Sequence, residues 1–462
     1  MHVIRDPAIL AGYLGDASNL PGGHCEGLVR PRSAEECAEV MAHCQANGIP
    51  LTVTARRTST TGGPIPYGGW LLSTELLNTV LAIGRDTALV QAGVLLGEFQ
   101  DQVEATGRLF PPDPTSRNEC SLGGAIACNA SGARSFKYGS IRPWVAAVQA
   151  VLPSGALIRA TRDTPIPADW PSVDWTPPAV KSATGLSPEG NLLDLLIGSE
   201  GILGLVTEAL VNLTDLPTHL FSVMAFFGST DDALDFVDVA KGAGPRLIEY
   251  FDRHSLQLVR DRVPDVPDAA VAAVWIEQEC TEADHEDQLM AWAERVESAL
   301  EVLFAEEARD LERLRAIRHA IPAGVNEQVI ANGMPKVGTD FAVPDAALRP
   351  MMAAYEAVDM PHVLFGHIGD NHLHLNLLPR SVSELDEARA IWSRLYDAAL
   401  LHGGCLSAEH GVGKLKSKYL ERMVGTATVT AFAALKRHLD PAWILGRGVM
   451  LDNGGAASPA TR

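Results

Sequence analysis

Apolar positions along this chain fall into two spacings, one helical and one strand-like. From Ser33 the stretch SAEECAEVMAHCQANG sets apolar residues at 37, 40, 41 and 44 behind a capping-box pair, Ser33 and Glu36, and ends at Gly48, which predicts a helix. Residues 49–54, 87–92, 145–152 and 156–160 predict strands, the last two joined by a Pro153-Ser154-Gly155 turn. A loop rich in Pro, Asp and Ser, roughly 161–190, leads into GSEGILGLVTEALVNL, a turn entering a strand. Around Pro217 the character changes. Residues 220–227 and 270–278 predict strands, with a helix from about Asp231 between them and helical runs near 284–303 and 306–320 after them. Strands return over 362–378, a helix is expected at about 428–438, and the tail GGAASPATR is small, polar and expected to be mobile. No internal repeat is visible.

With 462 residues the chain exceeds one ordinary core and is expected to form two or three domains. No apolar run reaches the roughly 20 residues of a membrane span, and the first 20 residues lack the basic-then-apolar layout of a leader, so a cytoplasmic location is expected. Seven cysteines without a C-x-x-C pair disfavour a disulfide framework, a zinc ribbon and an iron–sulfur cluster. A formal charge of −20 repels phosphodiester backbones and anionic membranes, which argues against nucleic-acid binding. It also repels an anionic substrate, so a carboxylate site would need local Arg, Lys or metal charge.

Glycine-rich and small polar residues cluster repeatedly in the N-terminal half: Thr58-Ser59-Thr60-Thr61-Gly62-Gly63, Pro112-Asp113-Pro114-Thr115-Ser116, Cys120-Ser121-Leu122-Gly123-Gly124, Asn129-Ala130-Ser131-Gly132 and Gly198-Ser199-Glu200-Gly201. Backbone amides exposed by such residues can cradle a pyrophosphate, and no G-x-G-x-x-G or P-loop pattern competes. Any one cluster is equally compatible with a surface turn. In the C-terminal half, Gly366-His367-Ile368-Gly369-Asp370-Asn371-His372-Leu373-His374-Leu375-Asn376 is followed by Ser407-Ala408-Glu409-His410-Gly411. Two imidazoles and a carboxylate suit zinc or a similar divalent ion with positions left open; the spacing alone also fits a polar patch.

Taken in order, PRSAEE, TSTTGG, PPDPTS, CSLGGAIACNASGA, KYG and GSEGILGLVTE resemble the FAD-binding domain of the vanillyl-alcohol-oxidase-type flavoproteins, specifically the glycolate, D-lactate and D-2-hydroxyglutarate dehydrogenase branch. The resemblance covers about residues 25–215 and resumes over 364–450. It implies an α+β fold: a two-subdomain FAD-binding domain (1–216), an antiparallel α+β substrate or cap domain with the metal site (217–425), and a C-terminal helical segment (426–462) returning to the flavin. It implies non-covalent FAD lined by Thr58, Ser59, Gly62, Pro112, Asp113, Ser116, Ser121, Gly123, Gly124, Asn129 and Gly132, with Gly198 and Glu200 nearby. Where the family usually has a glycine-rich run before the Thr-Ser pair, this chain has Ala55-Arg56-Arg57, whose charges could meet the pyrophosphate or solvent.

By the same resemblance His367, His374 and Glu409 are metal ligands, zinc being the expected ion, and His410 is the base. Arg318 and Lys336 resemble the substrate-binding cations of the family; Arg318 is favoured because a guanidinium grips a carboxylate with two parallel hydrogen bonds. The chain departs from the pattern at Asn371 and His372, where glycine and asparagine are more usual. His372 would share a strand face with His374, which leaves it open to the role of additional ligand, substrate contact or mere neighbour, the last being favoured. The expected activity is FAD-dependent oxidation of a small D-2-hydroxy acid, lactate- or glycolate-like, with electrons passing to an electron-transfer protein, cytochrome or quinone, in a chain that could form a homodimer. A flavoprotein subunit that needs partners for turnover is the alternative; a flavin-free metal hydrolase is a third.

Overall fold

The computed structural model describes residues 1–188, 190–260 and 266–452; the polar tail lies outside them. Three short strands, β1 (Gly27–Val29), β2 (Leu51–Thr54) and β3 (Trp70–Ser73), form a parallel sheet in the order β1-β3-β2. Helix α1 (Ala34–Asn47) connects β1 to β2, as a parallel crossover requires. Its ends follow the sequence: Ser33 Oγ accepts from Glu36 N at 3.3 Å, Glu36 reaches back to Arg32 N at 2.7 Å, and Gly48 closes the helix in the left-handed region.

A second, five-stranded antiparallel sheet contains β4 (Val80–Ile83), β5 (Thr87–Gln91), β6 (Val145–Val151), β7 (Leu157–Thr161) and β8 (Leu205–Asn212), ordered β4-β5-β8-β6-β7. The short helix α2 (Leu122–Ala127) precedes its third strand, capped by Ser121 Oγ on Gly124 N at 3.2 Å. The loop expected at roughly 161–190 follows the end of β7 at Thr161 and is largely irregular over its described residues, and the turn before β8 begins with one short helix, Leu192–Leu196.

The third sheet has eight strands and is antiparallel throughout. Its members are β9 (His219–Phe227), β10 (Leu247–Asp252), β11 (Ala272–Cys280), β12 (Glu301–Ala305), β13 (Val337–Gly338), β14 (Phe341–Ala342), β15 (His362–His367) and β16 (His372–Leu377). The order is β12-β9-β11-β10-β15-β16-β13, with β14 also on β16. Residues 284–303, expected as one helix, instead form a helix over His285–Arg295 and then enter β12, because the apolar run EVLFA finds an open edge on β9. The next helix, α3 (Ala308–Asn332), runs through Pro322. Proline forfeits a hydrogen bond inside a helix, but Ile317, Ile321 and Val325 bury against the sheet on either side of it and hold the helix together. A long helix, α4 (Val382–Leu401), escaped the periodicity reading although Ser381 and Glu384 form its capping pair.

The chain then comes back to the first sheet. Lys414 N and Leu415 N both donate to Thr61 O, at 2.9 and 3.1 Å. After α5 (Thr426–Leu439), Leu51 N donates to Ile444 O at 2.8 Å, so residues 444–445 lie along β2. Among the described residues no helix is long and apolar enough to cross a membrane.

Candidate active site

The β15–β16 hairpin decides the centre of the site. Its tight turn, Ile368–Asp370 with Asn371 in the left-handed region, sets His367 opposite His372 in register, and the two-residue strand period puts His372 and His374 on one face. Their ring centroids lie 4.5 Å apart, and those of His367 and His374 5.6 Å. All three imidazoles are buried, His372 and His374 in a strand whose every residue is buried.

Glu409 arrives from the returning segment. Its Oε1 lies 3.3 Å from His367 Nε2 and 3.3 Å from His374 Nε2. Metal–ligand bonds of 2.0–2.1 Å at a tetrahedral angle separate ligand atoms by about 3.3 Å, so this donor set fits a divalent ion such as zinc. The outer partners fit as well: His367 Nδ1 contacts Glu249, which Arg318 Nε holds at 3.1 Å, and His374 Nδ1 faces Thr339 O at 3.3 Å. Each ring is thereby fixed with Nε2 turned inward, the usual arrangement behind a metal-binding histidine. Burial alone would raise the Glu409 carboxyl, but Lys181 and His367 outweigh it and hold it well below the usual range. Burial would likewise lower His367, yet the Glu249 carboxylate overrides it and lifts the ring to about 9. A cation bound here would take the place of the proton that this carboxylate keeps on His367.

A second buried carboxylate, Asp340, gathers His410, His372 and Lys416 around it. Its oxygens accept from His372 Nε2 at 2.9 Å, Lys416 Nζ at 2.8 Å, His410 N at 3.1 Å, Glu409 N at 3.3 Å and the Ser407 hydroxyl, and one lies 3.4 Å from His410 Nδ1. With Nδ1 facing Asp340, His410 presents Nε2 toward the cluster, 3.7 Å from Glu409. Burial pushes His410 down to about 4, opposed by Asp340 and reinforced by His374, whose ring stacks on it at 5.2 Å. A third of the side chain still faces the cleft, where water tempers that depression, and the ring stays neutral at pH 7 either way.

Of the expected flavin residues, Asn129 and Gly198 border a cavity beside this cluster. Gly198 lies where a Cβ would come within 3.2 Å of Asn129 Cβ, and both border a cavity of about 400 Å³ whose other walls include Ser135, Lys181 and Asp370. Lys181 Nζ is 3.0 Å from Glu409 Oε2, and Ser131 Oγ donates to the same oxygen at 3.1 Å. Among the described residues Asn129 Oδ1 is buried without a partner, and so is Arg56 Nε in the Ala55-Arg56-Arg57 loop, which suits a ligand rich in both donors and acceptors. Thr58, Ser59 and Gly62 sit in the β2–β3 loop, tied to the returning segment where Lys414 Nζ donates to Gly62 O and Gly63 O. Gly123 packs on Ala92, where a Cβ would fall 2.5 Å from the Ala92 Cβ, and Gly124 N is the donor to Ser121. The Glu200 carboxylate turns instead to the main chain, accepting from Val412 N and Gly413 N at 2.7 Å each.

Pro112, Asp113 and Ser116 occupy a loop that Gly132 crosses. Pro112 O accepts from Gln100 at 2.7 Å, Asp113 pairs with Arg134 at 3.2 Å, and Ser116 O accepts from Cys120 N at 2.8 Å. At Gly132, with φ 129°, a Cβ would fall 1.9 Å from Asp113 O. Gly132→Ala is therefore expected to destabilise the fold by about 1–3 kcal/mol and to lower the flavin-to-protein ratio after purification, measured by urea unfolding and by absorbance.

The two expected substrate cations differ. Arg318 is buried and its Nε is engaged by Glu249, so it stands behind His367; its Nη1 is buried with no hydrogen-bond partner among the described residues. Lys336 is exposed ahead of β13 and makes no hydrogen bond or ion pair among the described residues, so the structure does not join it to the cluster. Lys181, Asp340, Glu249, Ser131 and Lys416 are contacts that the sequence reading did not single out. An acid amid apolar neighbours, as in LIEYF, was the available signal for Glu249. Lys181 lies in an irregular stretch where periodicity carries no information.

Two family models match the chain. The FAD binding domain covers residues 25–161, and the C-terminal domain of FAD linked oxidases covers residues 216–450, half of the chain. The chain belongs to the FAD-linked oxidases. It is 30% identical over 472 residues to D-2-hydroxyglutarate dehydrogenase of Xanthomonas citri pv. viticola, covering 97% of this chain and 93% of that one. It is 28% identical over 442 residues to the glycolate oxidase subunit GlcD of Bacillus subtilis, 92% and 88% covered, and 27% identical over 445 residues to D-lactate dehydrogenase of Anaerostipes hadrus, 92% and 89% covered. Among solved structures, p-cresol methylhydroxylase superposes with a TM-score of 0.74 at 14% identity over 98% of this chain and 95% of that one, which shows a shared fold. This member of the FAD-linked oxidases is thus an oxidoreductase with an α+β vanillyl-alcohol-oxidase-type architecture.

Proposed function

We propose that this oxidase oxidises a small D-2-hydroxy acid to the 2-oxo acid. The observation that carries the reading is the cavity in which Asn129 and Gly198, from the flavin motifs, face Lys181, itself paired with Glu409. Non-covalent FAD, held by the motif residues that include Asn129 and Gly198, would supply the acceptor for the hydride of the substrate Cα. A divalent ion held by His367, His374 and Glu409 would supply a Lewis acid for the substrate oxygens. His410, neutral and oriented by Asp340, takes the hydroxyl proton at Nε2. Lys181 supplies buried positive charge, and Arg318 Nη1 an unused donor, against the repulsion that a chain of charge −20 exerts on an anion. Lys336 would join only as an exposed cation at the rim.

Three of the relatives are named for hydroxy acids, namely glycolate, D-lactate and D-2-hydroxyglutarate. Anaerobic addition of each of these acids, with L-lactate as the stereochemical control, is expected to bleach the flavin with at least one D- or achiral acid and not with L-lactate. No bleaching with any of them overturns the substrate class. The natural acceptor under this reading is an electron-transfer protein, cytochrome or quinone, and the enzyme works in the cytoplasm, as a homodimer in the simplest case.

One relative is named a subunit, which favours a second reading: a flavoprotein that turns over only in a larger assembly. Turnover of the purified chain with an artificial dye separates the two. Brisk dye reduction supports the self-sufficient enzyme.

A further inference from the structure

His372 departs from the expectation of a bystander. It is wholly buried in β16, and its ligand atom lies with those of His367, His374 and Glu409 in a group spanning no more than 4.8 Å. Its two ring nitrogens are unequal. Nε2 sits 2.9 Å from Asp340 Oδ1, a carboxylate that can only accept, so Nε2 carries the hydrogen. Nδ1 is then a bare lone pair, buried, with no hydrogen-bond partner among the described residues. Leaving a buried acceptor of this kind unsatisfied is unfavourable, and no donor among the described residues is placed to relieve it. A cation between the three imidazoles and Glu409 would.

We propose that His372 is a fourth protein ligand, through Nδ1, of the divalent ion held by His367, His374 and Glu409. The inference rests on the metal reading above and deepens it. His367 and His374 each have Nδ1 anchored and Nε2 turned to Glu409; His372 is anchored the other way, by Nε2 on Asp340, which leaves Nδ1 as its free nitrogen. The same carboxylate that orients His410 therefore also sets the tautomer of a ligand, so base and metal share one support. Three imidazoles and one carboxylate complete a four-coordinate shell. Substrate oxygens would enter by expanding it to five or six, rather than by filling positions left permanently open. Metal retention is correspondingly strong.

Two measurements on the full-length flavoprotein test this. X-ray absorption at the zinc edge of the zinc-loaded wild type is expected to show three imidazoles in the first shell. In H372N, which restores the residue more usual at this position, it should show two, and zinc loss to a chelator should be at least about tenfold faster. Retained flavin absorbance in H372N reports an intact fold. A wild-type shell with two imidazoles, or equal zinc-loss rates in the two proteins, overturns the His372 assignment while leaving the three-ligand site standing. A wild type that takes up no zinc overturns both.

Discussion

His410→Ala is expected to keep its flavin and to lose substrate reduction, with kcat/KM lower by about 10²–10⁴-fold. The fold should survive because Asp340 keeps its bonds to Lys416, Ser407 and the main chain at 409–410 when the ring is gone. Flavin binding should survive because the motif residues Asn129 and Gly198 border the cavity on the other side. What disappears is the one neutral imidazole in the cluster with a third of its surface in the cleft, whereas His367 and His372 are sealed from it. The check is the rate of anaerobic flavin bleaching beside the visible spectrum of the resting protein. A variant that bleaches at the wild-type rate removes His410 from the role of base, and one that loses its flavin removes the argument that the two functions are separable.

The extent to which this site could be read beforehand depended on how local each interaction is. His367 and His374 were legible because a hairpin with a two-residue period brings them together within eight positions of sequence. The helix from Ala34 was legible because its cap, its apolar stripe and its terminal glycine all lie within one segment. Asp340 is different: it meets His372, His410 and Lys416 across 32, 70 and 76 positions, and nothing in the run Thr339-Asp340-Phe341 reports those partners. Lys181 likewise meets Glu409 only through the fold. Strand β12 was missed for a related reason. Its five residues follow a helix without a breaker, and only the open edge of β9 makes them extended. The resemblance in the glycine-rich motifs singled out Asn129 and Gly198, which border the cavity, but it could not distinguish them from Glu200, which points at the backbone of 412–413.

Asp340→Asn should have the broadest consequences of any single change, because an acceptor-only group would be replaced by one that also donates. Asp340 is 1% exposed and takes hydrogen bonds from five sources. An amide offers one oxygen, so its NH₂ must face either His372 Nε2 and Glu409 N or Lys416 and His410 N, all of which are donors. Lys416, itself largely buried, loses the one carboxylate it meets at hydrogen-bond distance among the described residues. Removing one partner of such a buried pair costs about 3–5 kcal/mol, which urea unfolding should register directly. Catalysis should fall for a separate reason: without the carboxylate at 3.4 Å from Nδ1, the His410 tautomer with a free Nε2 is no longer selected, and kcat is expected to drop by about 10²-fold or more. The double variant Asp340→Asn with Lys416→Met distinguishes the two effects. Removing the unpaired cation should recover much of the stability, while kcat stays low because nothing has been restored behind His410. If stability and kcat recover together in the double variant, Asp340 is a structural counter-ion and does not position the base; if the single variant changes neither, the hub drawn around it is wrong.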